Sequence, residues 1–209
     1  MRAGGAVTGA MKVIWDTVVA VTLRPVAFFK TMPKQGGFYA PFVFLLVVGL
    51  FDMLLFSFFV GAVAGPAMGL TFAGNMLVLA PIALTVSGFV LTTVFFVFWR
   101  LMGSSQSYEA SYRTFVYSYA VSPVTTVIGF IPHLAFVGVV WWFSLLIIGS
   151  IYVHGINRVK AVAVFAVLGV ALVVFLIRAE RYVIHHGLAQ TLSQHKLPAA
   201  KPAARATQI

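Results

Sequence analysis

Five stretches of this chain, residues 41–64, 75–99, 114–131, 134–153 and 159–177, come close to the roughly 20 apolar residues that a helix needs to cross a hydrocarbon core of about 30 Å. No other feature narrows the fold as far. In lipid every backbone amide must find its partner inside the protein, so stretches of this length fold as helices. Composition agrees: 61% of the residues are hydrophobic and only 9% charged, against about 25% charged in an ordinary soluble domain. So few charges cannot cover a water-facing surface. The expected fold is all-α, a polytopic membrane protein with five transmembrane helices in one bundle. Pro81 and Pro123 lie inside the second and third stretches and are expected to kink them.

Ahead of the first stretch, residues 12–32 (KVIWDTVVAVTLRPVAFFKTM) have a different character. The apolar run from Val13 to Leu23 is interrupted by Asp16 and is too short to cross. Lys12, Arg24 and Lys30 flank Trp15, Phe28 and Phe29, a composition suited to an amphipathic helix lying at headgroup level. The N-terminus, MRAGGAVTGAMKV, does not read as a cleaved signal peptide. Three regions are therefore expected: a cytoplasmic segment with an interfacial helix (1–40), a five-helix membrane domain (41–178), and a basic, disordered tail (179–209).

The net charge of +10 comes from 14 Lys and Arg against 4 Asp and Glu. In a soluble protein that balance would point to nucleic acid. Here the cations flank hydrophobic runs, so anionic lipid headgroups are the expected partners, with contacts from Lys12, Arg24, Lys30, Lys34, Arg100, Arg158 and Lys160. No nucleic-acid partner is expected. Arg2, Lys12, Arg24, Lys30, Lys34, Arg100, Arg113, Arg158 and Lys160 all fall before the first span or in alternate connections, which places that side in the cytoplasm. Five spans then put the C-terminus outside, together with Arg178, Arg181, Lys196, Lys201 and Arg205, against the same rule. The uniform loop pattern outweighs the single tail.

Asp52 sits near the middle of the first span, in VFLLVVGLFDMLLFSFFV. A charged Asp at the bilayer centre costs roughly 2.5–3.5 kcal/mol even on the lenient insertion scale, so it should face the bundle. Counting inward from the cytoplasmic end, the polar residues at its depth are Ser87, Tyr117, Ser118, Tyr119 and Ser122. Asp52 is expected to bond to Tyr119 or a serine hydroxyl, joining helices; a proton or ion site is the alternative. No second ionisable group is expected at that depth. At the start of the third span, SYEASYRTFVYSYAVSP, Glu109 and Arg113 stand four apart with the acid first, the favourable order for a helical ion pair at the cytoplasmic face.

Catalytic signatures are missing. His133, His154, His185, His186 and His195 lie outside the spans or at their ends, and no HExxH, P-loop or paired-carboxylate pattern occurs. With no Cys, disulfides and thiolate metal sites are excluded. No catalytic residue, metal or cofactor is expected. Gly61 and Gly65 form a GxxxG, continued by Gly69; with Pro66 beside them these glycines read as the start of a flexible loop.

The order of these features resembles the YIP family, five-span membrane proteins named in eukaryotes for interacting with Rab/Ypt GTPases and also common in bacteria. The Pro-x-x-Phe-Phe-like element is matched by Pro25-Val26-Ala27-Phe28-Phe29, and the aromatic-x-Pro entry to span one by Tyr39-Ala40-Pro41. Span three has Tyr108, Tyr112, Arg113 and Tyr119 followed four residues later by Pro123. Pro132 and the basic turn Asn157-Arg158-Val159-Lys160 complete the series. The acid of the eukaryotic Asp-Leu-aromatic-Gly-Pro element is missing from Gly37-Phe38-Tyr39-Ala40-Pro41, and Ser118 stands where Gly would, so GTPase binding is not carried over. The resemblance implies a five-helix scaffold or trafficking-type membrane protein without an assigned reaction. The expected role is a scaffold or adapter acting through partner or lipid contacts, with a protein partner or a homo-oligomer, in a bacterial cytoplasmic membrane. The alternative is a small transporter, channel or lipid-moving protein using a polar groove around Asp52 and Tyr119.

Overall fold

The computed structural model describes residues 2–131 and 134–194, and these are helical almost throughout. In chain order the helices are α1 (Arg2–Leu23), α2 (Pro25–Thr31), α3 (Tyr39–Ala64), α4 (Pro66–Leu101), α5 (Tyr108–Ser118), α6 (Ser122–Gly129), α7 (Ala135–Tyr152) and α8 (Arg158–Gln194), with a 3₁₀ turn, Tyr119–Val121, joining α5 to α6. Pro25 and Pro66 open α2 and α4, where the missing N–H would have had no intrahelical partner. The Ser107 side chain caps α5, accepting the Ala110 amide at 3.2 Å, and Glu109 in the first turn faces the positive end of the helix dipole.

Among the described residues four helices are long and apolar enough to cross a membrane: Tyr39–Ala64, Pro66–Leu101, Ala135–Tyr152 and Arg158–Arg178. The fifth expected stretch, 114–131, is not one helix, and Pro123 is the reason. Pro123 has no N–H to give the carbonyl four residues back, that of Tyr119. That carbonyl instead takes the Ser122 amide, one residue earlier, tightening the chain into the 3₁₀ turn. Pro81, by contrast, stays inside a continuous α4. The expected turn at Pro132 and His133 lies outside the described residues.

α3 and α4 form a hairpin in which small residues meet large ones reciprocally. A Cβ on Gly49 would lie 2.6 Å from Leu84 Cδ1, and one on Gly88 would lie 2.7 Å from Leu45 Cδ2. At the hairpin's closed end two backbones touch: a Cβ on Gly69 would lie 2.6 Å from Gly61 Cα and 2.9 Å from the Ser57 carbonyl. Gly65 makes the turn itself at φ +100°. The loop expected at Gly61–Gly69 is therefore two helices in contact, joined by a single residue. α6 packs on α3 and α7, α5 on α4, α2 on α7, and α1 on α2, α5 and the 3₁₀ turn.

Two compact units are distinguished, Met1–Val170 and Ala171–Ile209. The core of the first is aromatic and aliphatic, with Val21, Phe29, Trp99, Tyr112, Leu145, Leu146 and Phe165 fully buried. Phe51, Leu77, Val78, Ile82 and Val86 are exposed along α3 and α4, the outward apolar surface that a lipid environment accommodates. The second unit is helical through its described part. α8 continues to Gln194, so helix occupies the beginning of the tail expected to be disordered; residues 195–209 lie outside the described residues.

Candidate functional site

Asp52 is buried, 4% exposed, although its helix is otherwise apolar. Both of its carboxylate oxygens accept hydroxyl hydrogen bonds from the broken segment opposite. Tyr119 Oη donates to Oδ2 at 3.1 Å, and Thr126 Oγ1 donates to Oδ1 at 2.6 Å. Tyr119 stands before Pro123 and Thr126 after it, so the two oxygens hold the two sides of the break. Among the described residues no Lys, Arg or His is within ion-pairing distance of Asp52. These two hydrogen bonds are what offset its desolvation.

Of the residues expected at this depth, Tyr119 meets Asp52, and the buried Ser122 hydroxyl lies beside Tyr119. The others go elsewhere. Ser87 is exposed, with its hydroxyl 3.5 Å from the Leu84 carbonyl of its own helix. Ser118 donates to the Thr114 carbonyl at 2.7 Å. The Tyr117 ring is held edge-on between Phe28 and Phe44, with centroids 5.3 and 5.1 Å away. Thr126 was not expected. Its signal was its spacing from Tyr119, seven residues or about two helical turns, which sets both hydroxyls on one face.

A second polar site joins the chain before α3 to α5. Arg113, 4% exposed, donates from Nε to Glu109 Oε1 at 3.1 Å and from Nη2 to the Gly37 carbonyl at 2.7 Å. The Gly37 amide donates to the same Glu109 oxygen at 2.7 Å. The expected ion pair is thus one side of a latch. Gly36 and Gly37 adopt φ of +125° and +82°, and a Cβ on Gly36 would stand 3.1 Å from Arg113 Nη2. Only glycines let the backbone turn into the guanidinium this closely.

The expected headgroup cations Lys12, Arg24, Lys30, Lys34, Arg100, Arg158 and Lys160 are all exposed. Lys12 is engaged with Asp16 at 2.8 Å, which holds its pKa above the ordinary lysine value, first through the hydrogen bond and then through the charge. Lys30 lies 5.0 Å over the Tyr152 ring and Arg100 5.0 Å over the Phe96 ring. Near the end of α4, sequence reasoning missed a buried aromatic and hydroxyl network. Trp99 Nε1 donates to Ser150 Oγ at 2.7 Å, and the Trp99 and His154 rings stack with centroids 4.0 Å apart.

A family model described as the Yip1 domain matches residues 19–179, a range that takes in α2 through α7, the Asp52 contacts and the Glu109–Arg113 latch. No curated protein and no solved structure matches the chain significantly.

Proposed function

The chain belongs to the Yip1 domain family, and from that membership we propose that it is a non-enzymatic scaffold or adapter acting through partner or lipid contacts inside the membrane. The observation that carries this reading is the state of Asp52: both oxygens are occupied by hydroxyls of the neighbouring segment, and among the described residues no Lys, Arg or His stands within ion-pairing distance of it. Coupled transport assembles several ionisable or carbonyl ligands around its ion. A lone carboxylate satisfied by two hydroxyls works as a joint between helices. In this reading α5, the 3₁₀ turn and α6 make a fifth, bent crossing, about 33 Å of helix from Tyr108 to Gly129 at 1.5 Å per residue. The basic ends of the helices rest on the cytoplasmic leaflet of a bacterial inner membrane, α1 and α2 give it an interfacial N-terminal element, and the C-terminus emerges on the other side.

A transporter is the second reading, favoured by one feature: a helix broken beside a buried carboxylate, an arrangement that ion-coupled carriers use at their binding sites. Asp52→Asn in proteoliposomes separates the two. Retained assembly with abolished proton or ion flux supports transport; lost assembly with no flux in either form supports the scaffold. A reporter fused after Ile209 tests the five crossings, since cytoplasmic activity there refutes them.

A further inference from the structure

We infer that a second copy of this chain docks on the outward face of α4 around Asn75, with the two Asn75 amides paired across a two-fold axis. This docking needs only α4 to lie in lipid, and it is independent of what Asp52 does. Asn75 is the tenth residue of α4 and exposed, and among the described residues its side-chain amide has no hydrogen-bond partner. Its depth follows from the hairpin. Gly69 touches Gly61, which lies nine residues, about 14 Å, beyond Asp52 on α3. Asn75 lies six residues, about 9 Å, back along α4 from Gly69. It therefore stands within about 5 Å of the level of Asp52, near the middle of the span. The hydroxyls of Ser57, Thr71, Thr85, Thr92 and Thr93 in the same hairpin each turn back to a carbonyl of their own helix. The Asn75 amide has two N–H donors and a carbonyl to satisfy, and hydrocarbon supplies nothing for them.

The bundle does not supply the partner. The buried stripe of α4 runs through Ala80, Leu84 and Gly88. Leu84 is nine residues from Asn75, which at 3.6 residues per turn sets the two on opposite sides of the helix. Asn75, Leu79, Ile82 and Val86 follow one another at steps of four, three and four, and all are exposed. That rhythm is the seam along which two membrane helices pack at about +20°, and an Asn in such a seam fixes the register. The free face ends where α5 covers α4, since Thr93 on the same side bonds Tyr108 Oη at 3.1 Å. A second copy meets the need of Asn75 as no lipid does. An acyl tail carries no hydrogen-bonding group, and a headgroup stays at the membrane surface. A copy related by a two-fold axis along the membrane normal brings its own Asn75 to the same depth. An amide is its own complement, N–H to carbonyl in both directions, so one symmetric contact serves both side chains.

The test uses the full chain in phosphatidylcholine vesicles. The sequence has no Cys, so an introduced one reports a single position. Ile82→Cys should form an intermolecular disulfide on mild oxidation. Phe58→Cys should not, although Phe58 is 69% exposed against 63% for Ile82, because it lies with Leu70 and Ala73 on the other side of α4. Association is then followed by energy transfer between donor- and acceptor-tagged copies as the protein is diluted in lipid. Asn75→Val should weaken dimerisation roughly ten-fold, the scale of an interhelical hydrogen-bonded pair. Asn75→Gln, which keeps the amide, should stay within about three-fold of the wild type. Asn75 is exposed, so both variants keep the fold of the single chain. Dimers that Asn75→Val leaves unweakened overturn the docking face, as does an Ile82→Cys disulfide that forms no faster than that of Phe58→Cys. A wild type that stays monomeric at every dilution overturns it too. So does a different chain that copurifies with the wild type and is lost from Asn75→Val, since the face then belongs to a foreign partner.

Discussion

Replacing Arg113 by Met should be among the most destabilising single changes in the first unit, and the latch geometry sets the size of the effect. The substitution keeps most of the aliphatic volume and removes two donors. One is the 2.7 Å bond to the Gly37 carbonyl, a charge-assisted contact of about 1.5–3 kcal/mol. The other is the pairing to Glu109, whose side chain is 20% exposed and keeps only the Gly37 amide. Breaking a fully buried pair costs about 3–5 kcal/mol; partial access to water at Glu109 places the total near the lower end, about 3 kcal/mol. In a chain of this size each kcal/mol moves a melting temperature by roughly 2–4 °C, so a fall of about 6–12 °C is expected in a detergent thermal scan. Glu109→Gln, which still accepts from Gly37, should cost clearly less. The double variant should lie well above the sum of the singles, because the orphaned carboxylate is gone. A shift under about 2 °C for Arg113→Met, or strict additivity in the cycle, would refute the claim that these residues act as one latch.

Thr126→Val removes one donor from Asp52 without changing shape and should cost about 1–3 kcal/mol, whereas Ser87→Ala should change stability by less than about 0.5 kcal/mol; paired thermal scans distinguish them. Gly69→Ala drives a methyl into the Gly61 backbone and should lower stability by about 1–3 kcal/mol, while Gly74→Ala, with nothing within 4 Å, should be neutral or stabilising, since Ala is the better helix former. Burial, followed by the charges of Lys34 and Arg100, lowers the folded pKa of His154 from 6.5 to about 3, so the unfolded chain binds the extra proton between those values and stability falls as pH drops below about 6.5. Between pH 7.5 and pH 5 that amounts to about 2 kcal/mol. The wild type should lose several degrees more than His154→Gln over that interval, and equal losses would contradict the burial argument.

Much of this was readable in the chain before any coordinates. A membrane span announces itself through its own length and apolarity, and Asp52 had to find cover because hydrocarbon tolerates no bare carboxylate. The Glu109–Arg113 pair followed from a four-residue spacing, a local regularity. What escaped were consequences of two segments meeting. Counting depth along each span located Tyr119, but it could not say that Ser118 turns back on its own helix while Thr126, one break later, turns toward Asp52. The contact of Gly36 and Gly37 with Arg113 had no local signal because the partners are far apart along the chain. Gly61 and Gly69 looked like loop residues because GxxxG has the same letters whether it frees a backbone or presses two together. Pro123 was visible as a kink; its repair by a 3₁₀ turn depended on which amide its neighbour's carbonyl could reach.

The bend at Tyr119–Val121 is tied on both sides to a single side chain of α3. A bend left to itself is a hinge, since a residue without its amide bond offers little resistance to tilting. With one oxygen of Asp52 holding Tyr119, the first residue of the turn, and the other holding Thr126 in α6, tilting α6 against the turn stretches a bond of the same carboxyl group. The bent segment therefore behaves as a rigid elbow. A displacement imposed on the end of α5 reaches α6 and α3 together, and α1, resting against the elbow, shares in it.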